Sequence, residues 1–383
     1  MLGDVPRAVR PIAPVNDGHE SIALHEEFED VPARSRLGRE SRRPPDDKMT
    51  VVETTGHRGS VPVSPAPQRE GERSRRSVER RSRRRHVALL VGVAGASLVL
   101  FVGLYVGAVR THFGQRVDEA ALVGRATHGS VQRATNQLLD TISITSLVLG
   151  SIALALIAFS RRRPRLAIGV VLTMLGANLT TQLLKGTVLG RPDLLLRPDG
   201  AAVASFPSGH ATVAMSLGLC FMLVAPPRLR TTVGCGGAAY AVLVGAATLT
   251  ARWHRPSDVI GAYLIATIWV AALAAWLIGT RGTGADTRPW SPMVFGHVLS
   301  SRRMLTTGVW LLGGAFVVSA AVLIVVNGGR LSADQLGSSY VAAIAAIAGT
   351  ALIVLGALLA ALQGALLDAP ESPPSETPRG ASR

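Results

Sequence analysis

The chain has 383 residues, of which 48% are hydrophobic, and a formal net charge of +15. Uncharged apolar runs of about twenty residues recur along it, the length that crosses a bilayer as a helix, and this excludes a soluble globular domain. Its 40 basic residues gather beside the ends of those runs, where membrane orientation and anionic lipid account for them, so nucleic acid is not an expected partner. Cys220 and Cys235 fall inside apolar runs, with neither metal-ligand spacing nor a disulfide framework around them.

Residues 1–85 are rich in Pro, Ser, Arg and Glu without apolar periodicity, and read as a disordered basic cytoplasmic tail. Residues 73–85 carry eight arginines immediately before the first apolar run. Such a cluster anchors a cytoplasmic end, and the run after it reads as a retained anchor rather than a cleaved signal peptide. Eight spans are expected, at 87–109, 138–160, 166–184, 209–225, 233–250, 259–278, 305–326 and 340–362. The fold class is therefore all-α integral membrane, with both termini on one side.

The short connections on that side hold Arg161, Arg162, Arg163 and Arg165, then Arg228 and Arg230, then Arg281, Arg288, Arg302 and Arg303. The positive-inside rule makes them cytoplasmic. The organisation that follows is a six-span unit at 86–280, a cytoplasmic loop at 281–303, a two-span hairpin at 304–367 and a disordered tail at 368–383.

Three polar islands emerge on the opposite, extracytoplasmic side. The first closes the third span, where Asn178, Thr181, Gln182 and Lys185 share one helix face and Arg191-Pro192 follows. Lys185 is one of only two lysines against 38 arginines, so it stands out from the background. A point charge beside a guanidinium fork suits a phosphoryl group. The alternative is a lysine snorkelling to the headgroups beside an ordinary loop arginine.

The second island, Pro207-Ser208-Gly209-His210, reads as a helix start. Serine can cap, glycine lets a ligand approach the backbone, and the free N–H groups of the first turn attract an anion. His210 could donate a proton there; otherwise it is an interfacial histidine on a capped helix. The third island is His254-Arg255-Pro256-Ser257-Asp258. Asp258, four residues on, can orient the His254 imidazole and leave its other nitrogen free as a nucleophile, or Ser257 or Asp258 can simply cap the helix. Arg252 and Arg255 flank the histidine, and such a density of arginine would repel a divalent cation, so no metal is expected.

Taken together, the islands resemble the type 2 phosphatidic acid phosphatase and vanadium haloperoxidase superfamily, in its membrane lipid phosphate phosphatase branch. Its motifs are Lys, six residues, Arg-Pro; then Pro-Ser-Gly-His; then Ser-Arg, five residues, His, three residues, Asp. Residues 207–210 match the second motif in full, and His254 with Asp258 match the end of the third. The resemblance covers about 86–280 and implies a six-helix phosphatase core, with the last two spans appended to it.

The resemblance further implies a phosphohistidine on His254, oriented by Asp258, and His210 as general acid. Lys185, Arg191 and the backbone of Ser208 and Gly209 would hold the phosphoryl oxygens, with no metal or organic cofactor. Two departures stand out: five residues, not six, separate Lys185 from Arg191, and Thr248 stands where the third-motif arginine belongs. Arg252, one turn on, is the expected substitute. The partners implied are a lipid phosphate substrate and the bilayer itself, with anionic lipid near the basic tail; the oligomeric state is left open. The arginine-heavy, lysine-poor composition resembles a high-GC genome, and a bacterial inner membrane is the expected location. The rival readings are a phosphotransferase using the same nucleophile and a non-catalytic lipid-binding or transport protein on the same fold.

Overall fold

The computed structural model describes residues 66–124, 129–140, 144–195, 206–281, 300–326, 332–363 and 365. The expected tail at 368–383, most of the loop at 281–303 and all of 1–65 lie outside the described residues. Ten α-helices account for the architecture, with no strand among the described residues. They are α1 (Ala66–Leu104), α2 (His112–Val123), α3 (Gly129–Asp140), α4 (Ile144–Ser160) and α5 (Pro164–Leu183). There follow α6 (Gly209–Val224), α7 (Arg230–Thr250), α8 (Pro256–Arg281), α9 (Ser301–Val326) and α10 (Ala333–Ala361).

Among the described residues, six helical stretches are long and apolar enough to cross a membrane: Ser77–Val109, Pro164–Val188, Pro227–Thr250, Pro256–Thr280, Ser301–Val322 and Ala333–Ala361. The other two expected spans are shorter apolar helices, Leu147–Ser160 and Gly209–Val224. At 1.5 Å per residue, sixteen residues reach about 24 Å, short of a hydrocarbon core of about 30 Å. Of the expected span at 138–160, the described parts are the end of α3 up to Asp140 and α4 from Ile144, and residues 141–143 lie outside the described residues.

A second difference concerns the arginine run. Expected within a disordered tail ending at residue 85, it is helical and continuous with the first span, because α1 starts at Ala66. Arginine and glutamate are good helix formers, and lengthening a helix that already exists carries no nucleation cost.

Chain connections and long-range hydrogen bonds sort the bundle into two ends. At one end, Arg161 Nη1 donates to the Val224 carbonyl (3.0 Å), Arg230 Nη1 to the Ala365 carbonyl (2.8 Å) and Arg83 Nη1 to the Gly279 carbonyl (3.4 Å). His86 Nδ1 lies 2.8 Å from the Ala361 carbonyl at this same end. These arginines therefore satisfy the open carbonyls at helix C-termini as well as carrying the charge. The other end holds the α5–α6 and α7–α8 connections and α2.

Between the ends, α1 lies along α8, α6 along α7 and α9 along α10. Gly218 and Gly237 let α6 and α7 touch backbone to backbone: a Cβ on Gly237 would come within 2.6 Å of the Gly218 Cα. The interior is filled by large apolar side chains such as Met215, Leu219, Met222, Leu223 and Tyr263. Leucines and valines on the outward faces, among them Val99, Leu172, Leu179 and Val317, are more than half exposed, as suits helices facing lipid. Buried polar groups such as Asp118, Arg191, His254 and Asp258 concentrate at the second end.

Candidate functional site

The site is built from helix ends. Helix α7 finishes in a Schellman turn, with Arg252 N–H donating to the Leu249 carbonyl (3.1 Å) and Trp253 N–H to the Thr248 carbonyl (3.0 Å). Arg252 takes the left-handed position of that turn, at φ 61°. The turn reverses the chain and delivers His254, whose own N–H also points at the Thr248 carbonyl (3.3 Å). Thr248 is fully buried and its hydroxyl donates to the Gly245 carbonyl at 2.8 Å. At the position where the resemblance expects an arginine side chain, this chain thus contributes a carbonyl that shapes the turn.

Helix α8 begins at Pro256, a residue suited to a first helical position. The Asp258 carboxylate turns back from the first turn, its Oδ2 accepting the Arg255 N–H at 3.0 Å and lying 3.3 Å from His254 Nδ1. The two sequence alternatives therefore hold together, since one carboxylate caps the helix and orients the histidine. A carboxylate facing Nδ1 assigns the hydrogen to that nitrogen and leaves the Nε2 lone pair free.

Helix α6 begins at Gly209, capped by Ser208, whose side-chain oxygen accepts the Ala211 N–H at 3.3 Å. Ser208 N–H donates across to the Asp258 carbonyl at 3.0 Å. Just before it, the Phe206 ring packs on Phe101 and Tyr105, with centroids 5.3 and 5.7 Å apart. Tyr105 also fixes the previous connection, its hydroxyl donating to the Gly190 carbonyl at 2.9 Å.

His210 and His254 come together, their ring centroids 6.3 Å apart and tilted by 58°. Both line a cavity of about 700 Å³, together with the polar Lys185, Gln182 and Asn178, with Gly209, and with the apolar Leu147, Leu175, Leu179 and Val213. Lys185 sits in a short π-helical turn, Leu184–Val188, that ends the α5 helix. The expected polar face of α5 is therefore present with one exception. Thr181 is fully buried and bonds Thr212 of α6 at 3.0 Å instead.

Two expected phosphate ligands are not among the residues lining the cavity. Arg252 is exposed and off the cavity wall. Arg191 is buried and is likewise not on the wall; its Nη2 lies 2.8 Å from Asp118 Oδ2 and its Nη1 3.5 Å from Asp258 Oδ1. Asp118, on α2, also accepts from Ser257, Oγ to Oδ2 at 2.5 Å and N–H to Oδ1 at 3.2 Å. Burial pushes the Asp118 carboxyl above its ordinary value of 3.8; Arg191 and the Ser257 hydroxyl pull it back, and the Asp258 charge adds to the rise.

Sequence reasoning missed Asp118. It stands in the mixed-charge segment between the first two expected spans, and no spacing ties it to an island. Among the described residues, no group of three or more His, Cys, Asp or Glu could hold a metal ion.

Helices long and apolar enough to cross a membrane hold at one end a histidine facing a carboxylate, a second histidine and a lysine around one cavity. The family model of the PAP2 superfamily matches residues 166–281. That stretch contains every site residue expected from the motifs, and the match supports a PAP2 superfamily domain over those residues. The match and the membrane-like helices support a membrane phosphatase in general terms. Helices α1, α2, α9 and α10, and Asp118 with them, lie outside the matched residues. No match was found among curated proteins or among solved structures.

Proposed function

We infer that the chain is a lipid phosphate phosphatase, hydrolysing a lipid phosphate or a polyprenyl pyrophosphate through a phosphohistidine. The observation that carries this is the His254–Asp258 pair opening on a cavity that also presents His210 and Lys185. The His254 Nε2 lone pair would attack phosphorus, forming N–P as the bond to the leaving oxygen breaks and that oxygen takes a proton from His210. Water would then attack phosphorus, return a proton to His210 and release phosphate from the imidazole. Lys185, the first-turn N–H groups beside Ser208 and Gly209, and Arg191 from the buried side would stabilise the phosphoryl oxygens. Arg252 would have to swing inward to join them.

A lipid substrate is supported by the leucine and valine lining of the cavity, of which Leu175 and Leu179 are about half exposed or more toward the lipid-facing surface. The headgroup would meet the polar residues while the tail lies in the bilayer. Eight spans remain the proposed topology, with the two shorter apolar helices crossing alongside the six long ones. Gathering of the arginines at the bundle end away from the site supports cytoplasmic termini and an extracytoplasmic site. A bacterial inner membrane fits this reading.

The test is phosphate release by detergent-purified protein from phosphatidic acid, phosphatidylglycerol phosphate and a polyprenyl pyrophosphate, with chelator present. Release that survives chelator and vanishes in His254→Ala supports the reading and names the substrate class. Thr248 at the arginine position favours the non-catalytic alternative, which would lead if no lipid releases phosphate.

A further inference from the structure

Arg191 divides its guanidinium unequally between two buried carboxylates. The short contact, 2.8 Å, goes to Asp118, and the long one, 3.5 Å, goes to the catalytic Asp258. Arg191 Nη1 and Asp258 Oδ1 are both buried, and neither has a hydrogen-bond partner among the described residues. A guanidinium at that distance would normally close to a hydrogen-bonded pair, because buried charges gain most from a short, well-aligned contact. What opposes closure is Asp118 Oδ2, which takes Nη2 and is itself held by the Ser257 hydroxyl.

We propose that Asp118 is a positioning residue that holds Arg191 off the catalytic carboxylate, so that Asp258 keeps its charge for His254. The Asp118 charge balances that of Arg191, leaving the Asp258 carboxylate to act on the imidazole. Were Arg191 to close on Asp258, the histidine would face a neutralised partner and become a weaker base and nucleophile. Asp118 comes from a helix outside the matched family segment, and Ser257 from the turn that carries Asp258. The chain thus uses an additional element to set the charge of a site built elsewhere.

The inference rests on the phosphatase reading, and its test is arranged to fail separately. Steady-state phosphate release from phosphatidic acid is followed against pH for the full-length wild type, Asp118→Asn, Arg191→Gln and the double variant. Asp118→Asn is expected to lower kcat about tenfold with KM moved less than about threefold, an interaction that matters in the transition state rather than in binding. The acid limb of the profile should also move to lower pH by about half a unit or more as His254 loses basicity. Other charges around the two histidines are Lys185 of the π-helical turn after α5, Asp140 of α3, and Arg255, which pairs with Glu119. All of them are unchanged in these variants.

In the Arg191→Gln background, Asp118→Asn should have no further effect on kcat or on the limb, because its action runs through Arg191. Unchanged kcat and limb in Asp118→Asn, or an equal effect with and without Arg191, overturns the proposal. If Asp118→Asn does not fold, Ser257→Ala decides the matter. Loss of the hydroxyl on the same Asp118 oxygen should move both readouts in the same direction by less, and no movement overturns the proposal. A wild type without phosphate release would instead refute the phosphatase reading itself.

Discussion

The backbone N–H of Ser208 donates to the carbonyl of Asp258 at 3.0 Å, tying the cap of α6 to the first turn of α8. His210 follows the first of these residues and His254 precedes the second, so the two imidazoles share one rigid support. Removing the Ser208 hydroxyl leaves this backbone bond intact while unsatisfying the Ala211 N–H. Ser208→Ala should therefore cost about 1 kcal/mol of stability with kcat reduced only slightly. Chemical denaturation beside steady-state kinetics checks it, and a large loss of turnover would show that the hydroxyl acts on substrate.

Asp258 bonds both His254 and the Arg255 N–H, and Asp258→Asn keeps the shape while losing the charge. By comparison with other carboxylate-oriented histidines, kcat should fall about 10³- to 10⁴-fold. Circular dichroism should remain that of the wild type. A fall of less than tenfold would mean that His254 needs no carboxylate.

Arg252 occupies a left-handed backbone position at φ 61° that glycine fills without strain. Arg252→Gly should raise stability by about 1 kcal/mol. If its side chain reaches the phosphoryl group in place of the missing arginine, kcat/KM should fall in the same variant by about tenfold. A gain in stability with undiminished kcat/KM would remove Arg252 from the phosphate site.

The raised Asp118 carboxyl gives a pH-dependent contribution of known sign. Between its ordinary value of 3.8 and the raised one, the folded chain holds a proton that the unfolded chain has released. Stability from this group therefore falls as pH rises through that window. Asp118→Asn removes the slope, so its stability relative to wild type should improve as pH is raised above 3.8. Paired denaturation curves across that range test it, and a difference moving the other way would show that the ion pair with Arg191 outweighs burial.

Gly237→Ala forces a methyl group against the Gly218 backbone, where neither helix has a flexible side chain to yield. The cost should be about 1–3 kcal/mol, the usual range for overpacking. A thermal unfolding curve matching wild type would mean that α6 and α7 can slide apart freely.

Much of the site was legible because it is local. Asp258 stands four residues after His254 across a proline-initiated helix start, and Ser208 stands directly before Gly209, so short-range geometry alone brings each pair together. Lys185, Gln182 and Asn178 reach one cavity because a helical period puts them on one face. Thr181 satisfied the same period but turned to Thr212, a choice made by the neighbouring helix and invisible in α5 alone. The pairing of Arg191 with Asp118 and the outward turn of Arg252 were not legible, because charge and position do not reveal what a guanidinium pairs with or which way a turn points it.

By itself the sequence determined that this chain is a set of apolar helices with its candidate site residues in a few polar stretches at helix ends. Apolar run length, arginine distribution and the spacing within each island are properties of consecutive residues, governed by transfer free energy and helical periodicity. Tertiary structure alone decided that Asp118, 73 residues before Arg191 and 139 before Ser257, completes the charged network beside His254. No periodicity links such positions. A buried carboxylate finds its partners only when helices pack, because only packing removes the water that would otherwise satisfy it.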